Sequence, residues 1–295
     1  MKNKSLVPQR GFNIVELMIS ITIGLVMIVF VTSLYVRSKG AYEVNDDNSR
    51  MQQEGRLIMS MIGRNISQAG FGQPVSFSSS RLVSTFHQAS DNPQAFRVCD
   101  GGFVAPTNLN NTACVGGTGA AGFEVSYIDD STPNTNTGAG SDCNGQAVPL
   151  DTRGFRRVIN RFYLTGTPGN LSLNCIGNGS ATSQPLLSNV EGMRLRFGVI
   201  GNNLKQVTGM YNTAADVLAV ESTINPPVEP FSRVASVEVC LQLTSATKVN
   251  QKNEQTYVDC RGATVTPTDR RIHMALTSVF TLRNNADSTL LSYGQ

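Results

Sequence analysis

The chain has 295 residues, 40% of them hydrophobic, and a net charge of +3, enough apolar material for one sizeable core and an appendage. Charged residues make up only 15%, against roughly 25% in ordinary soluble domains; Gly, Asn, Ser and Thr take their place, which suits an extracytoplasmic β-rich body with long polar loops better than a cytosolic enzyme. The slight positive charge, with no basic patch interleaved with aromatics, gives no basis for a nucleic-acid partner.

Residues 1–11, MKNKSLVPQRG, are short and polar, with Lys2, Lys4 and Arg10. An apolar run follows from Phe12 to Val36; at 1.5 Å per residue it spans about 37 Å as a helix, enough to cross a bilayer with some tilt. Positive charge ahead of the run keeps the N-terminus cytoplasmic and puts everything after Val36 outside. Glu16 interrupts the run one turn after Phe12. A carboxylate in the membrane costs about 2.5–3.5 kcal/mol, so it points to a function and needs a positive partner, and the span has no Lys or Arg before Arg37. An ordinary secretory signal would keep its apolar stretch shorter and cut after it. Val31 and Ser33 loosely fit such a site, but Leu34, Tyr35 and Val36 continue the run.

The segment Arg10-Gly11-Phe12-Asn13-Ile14-Val15-Glu16-Leu17 resembles the processing site of type IV prepilins. The resemblance implies cleavage by a prepilin peptidase between Gly11 and Phe12, N-methylation of Phe12, and a docking role for Glu16. It also supplies the missing counter-charge: the freed α-amino group of Phe12, on this or a neighbouring subunit. Pairing the two would remove most of the desolvation penalty of both.

The helical pattern runs on past the membrane. No proline occurs between Pro8 and Pro74. Residues 37–50 read as a solvated neck. From Met51 an amphipathic stripe appears at Met51, Gly55, Ile58, Ile62, Ile66 and Ala69, with Leu57 and Met61 widening it. Gly70, Gly72 and Pro74 end the helix. Residues 71–120 read as irregular. Period-two alternation then marks strands at Phe123–Tyr127, Val158–Leu164, Met193–Val199, Val237–Leu243 and Ile272–Leu282, with Leu171–Cys175 as a short companion. Residues 129–145 form a polar loop. The expected architecture is α+β: a long N-terminal helix, transmembrane and then amphipathic, packed on an antiparallel sheet with long loops. The expected divisions are a cleaved leader at 1–11, a membrane or filament-core half at 12–36, an amphipathic continuation at 37–70, and a disulfide-bearing β-rich domain at 71–295.

Six cysteines, at 99, 114, 143, 175, 240 and 260, show no two-residue spacing of the metal-knuckle kind. An even count behind a membrane-targeting segment favours structural disulfides. Fifteen pairings are open; sequence neighbours are the most economical, Cys99–Cys114, Cys143–Cys175 and Cys240–Cys260, the last closing a hairpin. Free buried thiols are the alternative. His87 and His273 are the only histidines. His273 falls on the polar phase of the last strand, opposite Ile272 and Met274, and reads as surface-facing. Asp129, Asp130 and Asp142 around the polar loop offer oxygen ligands for Ca²⁺, but without EF-hand spacing solvated carboxylates are the plainer reading. No phosphate loop, zinc-protease helix or nucleophile elbow occurs, so the chain is read as no enzyme, with no cofactor and no metal site.

Features beyond the helix narrow the resemblance. The helix end MQQEGRLIMSMIGRNISQAGF, then Asp142-Cys143-Asn144-Gly145, RFYLTGTPGNLSLNC, QPLLSNVEGMRLRFGVI, Phe231-Ser232-Arg233-Val234 and Leu282-Arg283-Asn284 look like the PilW family of minor pilins. Phe231 departs from the pattern, which would have tryptophan there. The resemblance implies a minor pilin in the inner membrane, its body periplasmic, that joins the pilus, at or near the tip, and supports assembly, twitching motility and adhesion. Implied partners are other minor pilins, the major pilin, a tip adhesin and the prepilin peptidase. A minor pseudopilin of a type II secretion system shares the same helix and stays open as an alternative, as does a membrane-tethered exported binding protein.

Overall fold

The structure is a computed structural model that describes residues 11, 13–72, 74–78, 81–84, 86, 94–117, 121–129, 140–152, 154–200, 207–223, 230–248 and 256–284. Leader residues 1–10, Phe12, His87, Asp130, most of the 129–145 loop and residues 251–255 lie outside the described residues.

One helix, α1, runs unbroken from Ile14 to Gln68, 55 residues. It holds no proline, and its two halves differ in what they meet. Every large apolar side chain from Ile14 to Val36 is exposed. In the C-terminal part Met51, Gly55, Ile58, Met59, Ile62, Gly63, Asn65 and Ile66 are buried. The stripe is therefore displaced toward Met59 and Gly63, while Leu57 stands 65% exposed on the far side. Leu57 does not widen the stripe as its spacing suggests: it lies about 100° from Ile58 around the helix, beyond the reach of the sheet.

The helix stops at Gly70, whose φ of +75° is left-handed and favours glycine. Its N–H donates to the Ser126 carbonyl at 2.9 Å, and an added Cβ would come within 2.6 Å of the Asn284 carbonyl oxygen. The turn from helix to body thus allows no side chain.

The strands are β1 (Pro74–Ser78), β2 (Arg81–Ser84), β3 (Phe96–Cys99), β4 (Gly122–Ile128), β5 (Arg157–Thr167), β6 (Asn170–Gly177), β7 (Gln184–Ile200), β8 (Val207–Tyr211), β9 (Val234–Thr244), β10 (Tyr257–Val258), β11 (Thr264–Val265) and β12 (His273–Thr281). A short helix α2, Ala214–Glu221, follows β8. An eight-stranded antiparallel sheet has the order β12-β9-β7-β6-β5-β4-β3, with β8 beside β7; β1–β2 and β10–β11 are separate hairpins. β7 is long enough to change partners. Its first half pairs with β6 up to Val190 and its second with β9 from Val190 onward, with an irregularity between Val190 and Gly192. Asn189, at φ 56°, stands next to the crossover, where a left-handed residue bends the strand.

The helix lies along β12. An added Cβ on Gly55 would sit 2.2 Å from Leu276 Cδ1, and one on Gly63 would sit 2.3 Å from the Phe280 ring. The two glycines are notches for alternate side chains of one strand. Eight helical residues rise about 12 Å and four strand residues about 13 Å, so the notches and the side chains share a pitch and the two elements run in the same direction. Phe96, Phe123, Phe162, Phe197, Leu173, Leu241 and their neighbours complete the core. Phe231, in the place expected for tryptophan, is 4% exposed and meets Phe96 edge to face, centroids 6.4 Å apart. Its φ of 61° is held from α2: Glu221 accepts the N–H groups of Phe231 and Arg233 at 2.7 and 2.9 Å.

Candidate functional site

The exposed half of α1 has the composition of a membrane span, with mean hydropathy 2.7 over its best window and none of that window buried. A soluble body would not leave so long an apolar surface uncovered. Its Ser and Thr side chains are handled locally. Ser20, Thr22, Thr32 and Ser33 donate to the carbonyls of Glu16, Ile19, Ile28 and Phe30 at 2.6–2.8 Å, so these four hydroxyls are satisfied within the helix, as a hydrocarbon environment requires.

Glu16 is different. It occupies the first turn, the one place on the helix where the macrodipole favours an anion, and its N–H is bonded to the Asn13 carbonyl at 3.0 Å. Among the described residues no cation pairs with its carboxylate. Gly11, just ahead, would have nothing within 4 Å of an added Cβ, so the backbone there is open on that side. Phe12, the third residue of the expected site, lies outside the described residues.

Three disulfides join Cys99 to Cys114, Cys143 to Cys175 and Cys240 to Cys260. They fasten three pieces of polar chain onto the sheet. The first closes the loop after β3, which folds over the outer face around Arg161. That guanidinium is fully buried, pairs with Glu124 at 2.6 Å, donates to the carbonyls of Asn108 and Leu109 at 2.8 and 3.2 Å and lies 4.1 Å from the Phe103 ring centroid. The second ties the 141–147 turn to β6. The third does not close a hairpin with β9. It links β9 to the β10–β11 hairpin, a separate unit on the outer face near β12.

Two further side chains differ from the sequence reading. Asp142 is not a free loop carboxylate: it accepts the N–H groups of Asn144, Gln146 and Gly179 at 2.9–3.0 Å, which makes it the organiser of its turn. Among the described residues no group of three or more His, Cys, Asp or Glu is placed to hold a metal. His273 is on the outer face, but its side chain is only 3% exposed, because the β10–β11 hairpin covers it. Strand phase tells which face a residue takes and not whether that face is covered.

An asparagine pair links helix to sheet, and the apolar stripe gave no hint of it. Asn160 of β5 donates through Nδ2 to Asn65 Oδ1 at 2.7 Å. Asn65 Nδ2 donates back to the Met61 carbonyl at 2.9 Å, and Asn160 Oδ1 accepts the Cys143 N–H at 2.8 Å. Helix, sheet and the second disulfide thus meet at one buried polar chain.

Residues 161–284 match the family model of type IV pilus-assembly protein W, PilW. Among solved structures, a type IV-like pilin from Thermus thermophilus is similar over 81% of this chain and 100% of its own, at 12% identity and a TM-score of 0.38. No significant match was found among curated proteins.

Proposed function

With residues 161–284 assigned to the PilW family of type IV pilus-assembly proteins, we propose that the chain is a minor pilin, held in the inner membrane by α1 and then drawn into the filament, near its tip. The observation that carries this reading is the exposed apolar half of α1 with one carboxylate in its first turn, Glu16, which no cation pairs among the described residues. An anchor alone needs no Glu16. A docking helix does, because the carboxylate selects the α-amino group of an incoming subunit, and a charge that costs about 2.5–3.5 kcal/mol in hydrocarbon is neutralised only when the subunit arrives.

In this reading a prepilin peptidase cuts between Gly11 and Phe12, and Phe12 becomes the N-methylated terminus. The body stays periplasmic and meets other minor pilins, the major pilin and a tip adhesin, in support of assembly, twitching motility and adhesion. The matched family favours a pilus over a type II secretion pseudopilin. The test is Glu16→Ala: it is expected to leave membrane insertion intact and cut the amount of this subunit in sheared pili at least about tenfold, read by immunoblot. Wild-type incorporation of the variant would refute the docking role. The mass of the mature N-terminus separately reports cleavage after Gly11.

A further inference from the structure

The buried ring of His273 is the meeting point of four elements. It stacks on Tyr257 of β10, with centroids 4.8 Å apart and planes 10° from parallel. Its Nδ1 lies 3.1 Å from Glu191 Oε2 on β7, and its Nε2 lies 2.9 Å from Asp269 Oδ1 in the segment before β12. The same Glu191 oxygen accepts from Gln242 Nε2 of β9 at 2.5 Å and stands 3.5 Å from the Tyr257 hydroxyl. Asp269 also accepts the Arg271 N–H at 3.0 Å. The remaining charged neighbours are Arg271, which acts on Asp269, and Asp259 of the β10–β11 turn, which acts on Tyr257.

Ionised carboxylates only accept hydrogen bonds, and a neutral imidazole has one N–H to give. Two carboxylates facing the two ring nitrogens are therefore both satisfied only by the imidazolium. The cation also adds attraction to the Tyr257 ring beneath it. We propose that His273 is a pH-sensitive latch: as the imidazolium it clamps the β10–β11 hairpin and the 266–272 segment onto the outer face of the sheet, and on losing its proton it lets them loosen. Asp269 is the contact released, because its side chain is 44% exposed against 28% for Glu191 and its charge is more easily returned to water. The disulfide from Cys260 to Cys240 keeps the loosened hairpin tethered, so the motion is a local lift and not a detachment. The groove of about 520 Å³ beside it, lined by Glu191, Arg194, Gln242, Cys260 and Arg261, changes shape with the lift.

The sign follows from the surroundings. Burial opposes the imidazolium, but the hydrogen bonds of Glu191 and Asp269 outweigh it and hold His273 above its ordinary value. The bond to His273, against burial, holds Glu191 below the usual carboxylate range. For Asp269 burial acts upward, and the bonds to His273 and the Arg271 N–H overcome it. Burial and then Glu191 push the Tyr257 phenol up, so it stays protonated. The histidine's contribution is complete below about pH 6.5 and is lost as pH rises through its raised value; that of the carboxylates is complete above about pH 4.5 and is lost as pH falls through their lowered values. The latch is tightest between those limits.

Amide hydrogen exchange on the full chain in detergent micelles at pH 5.5 and 8.5, corrected for intrinsic rates, tests this. Protection of residues 257–265 is expected to fall at the higher pH, about tenfold for each unit by which the His273 value is raised, while β5 and β6 keep theirs. His273→Phe keeps the stack without the charge, and its hairpin protection is expected not to change with pH. Equal protection of the wild-type hairpin at both pH values, or the same fall in His273→Phe, would overturn the latch. NMR titration of the His273 ring in the unmodified chain decides independently of any variant's folding: a midpoint above about 6.5 supports the latch, and one at or below it ends it.

Discussion

Asn65 shows how a single side chain decides where the helix sits. It is 8% exposed in an otherwise apolar stripe, and its amide is satisfied on both sides by Met61 and Asn160. Asn65→Ala would leave the Asn160 amide N–H buried without an acceptor, at a cost of about 1–3 kcal/mol. Denaturant unfolding of the full chain in detergent should show the loss. The double change Asn65→Leu with Asn160→Leu removes both amides but also takes the acceptor of the Cys143 N–H, so it should recover only part of it. At this scale the sequence said least. Asn65 is not legible in the sequence, because a polar residue in a helical stripe looks like a gap in the pattern, and only the fold supplies its partner 95 positions away. Strand phase gives His273 its face but not its burial, for the same reason. Glu16 was readable because the apolar run around it makes a charge conspicuous without any fold.

Among elements, those with a long period were legible. α1 and the strands β4, β5, β7, β9 and β12 each carry enough alternation for periodicity to show. β10 and β11 have two residues each and β3 has four, too few for any period, so the 71–120 region read as irregular although β3 forms an edge of the main sheet. α2 is not legible in the sequence because its eight residues sit between loops without a clear apolar stripe. The helix–strand contact yields a sharp prediction. Gly63→Leu drives a side chain into Phe280, already 2.3 Å from an added Cβ, and should destabilise the domain by more than the roughly 1–3 kcal/mol of ordinary overpacking. The improvement in helix propensity, about 1 kcal/mol, is too small to offset it. Gly40→Leu, on a helix face with nothing within 4 Å, is the control: its unfolding midpoint should stay level or rise.

On the scale of the whole molecule, two environments are joined by one helix. The body has a conventional core, and among the described residues nothing covers the half of α1 before Val36. The full chain should therefore sediment as a monodisperse species only in detergent or lipid and aggregate on detergent removal, as analytical ultracentrifugation would show. Removal of detergent without aggregation would mean that the apolar half of α1 is covered in solution, contrary to its exposure here.

The shared pitch of Gly55 and Gly63 with Leu276 and Phe280 also has a mechanical meaning. A load applied along α1 passes into β12 in the same direction and so acts along the ladder between β12 and β9. That ladder is unbroken from His273–Thr244 to Thr281–Ser236, nine residue pairs, and it must slide as a unit instead of opening one bond at a time. The chain's last described strand is thus its tensile element, and the two small residues on the helix are what couple the anchor to it.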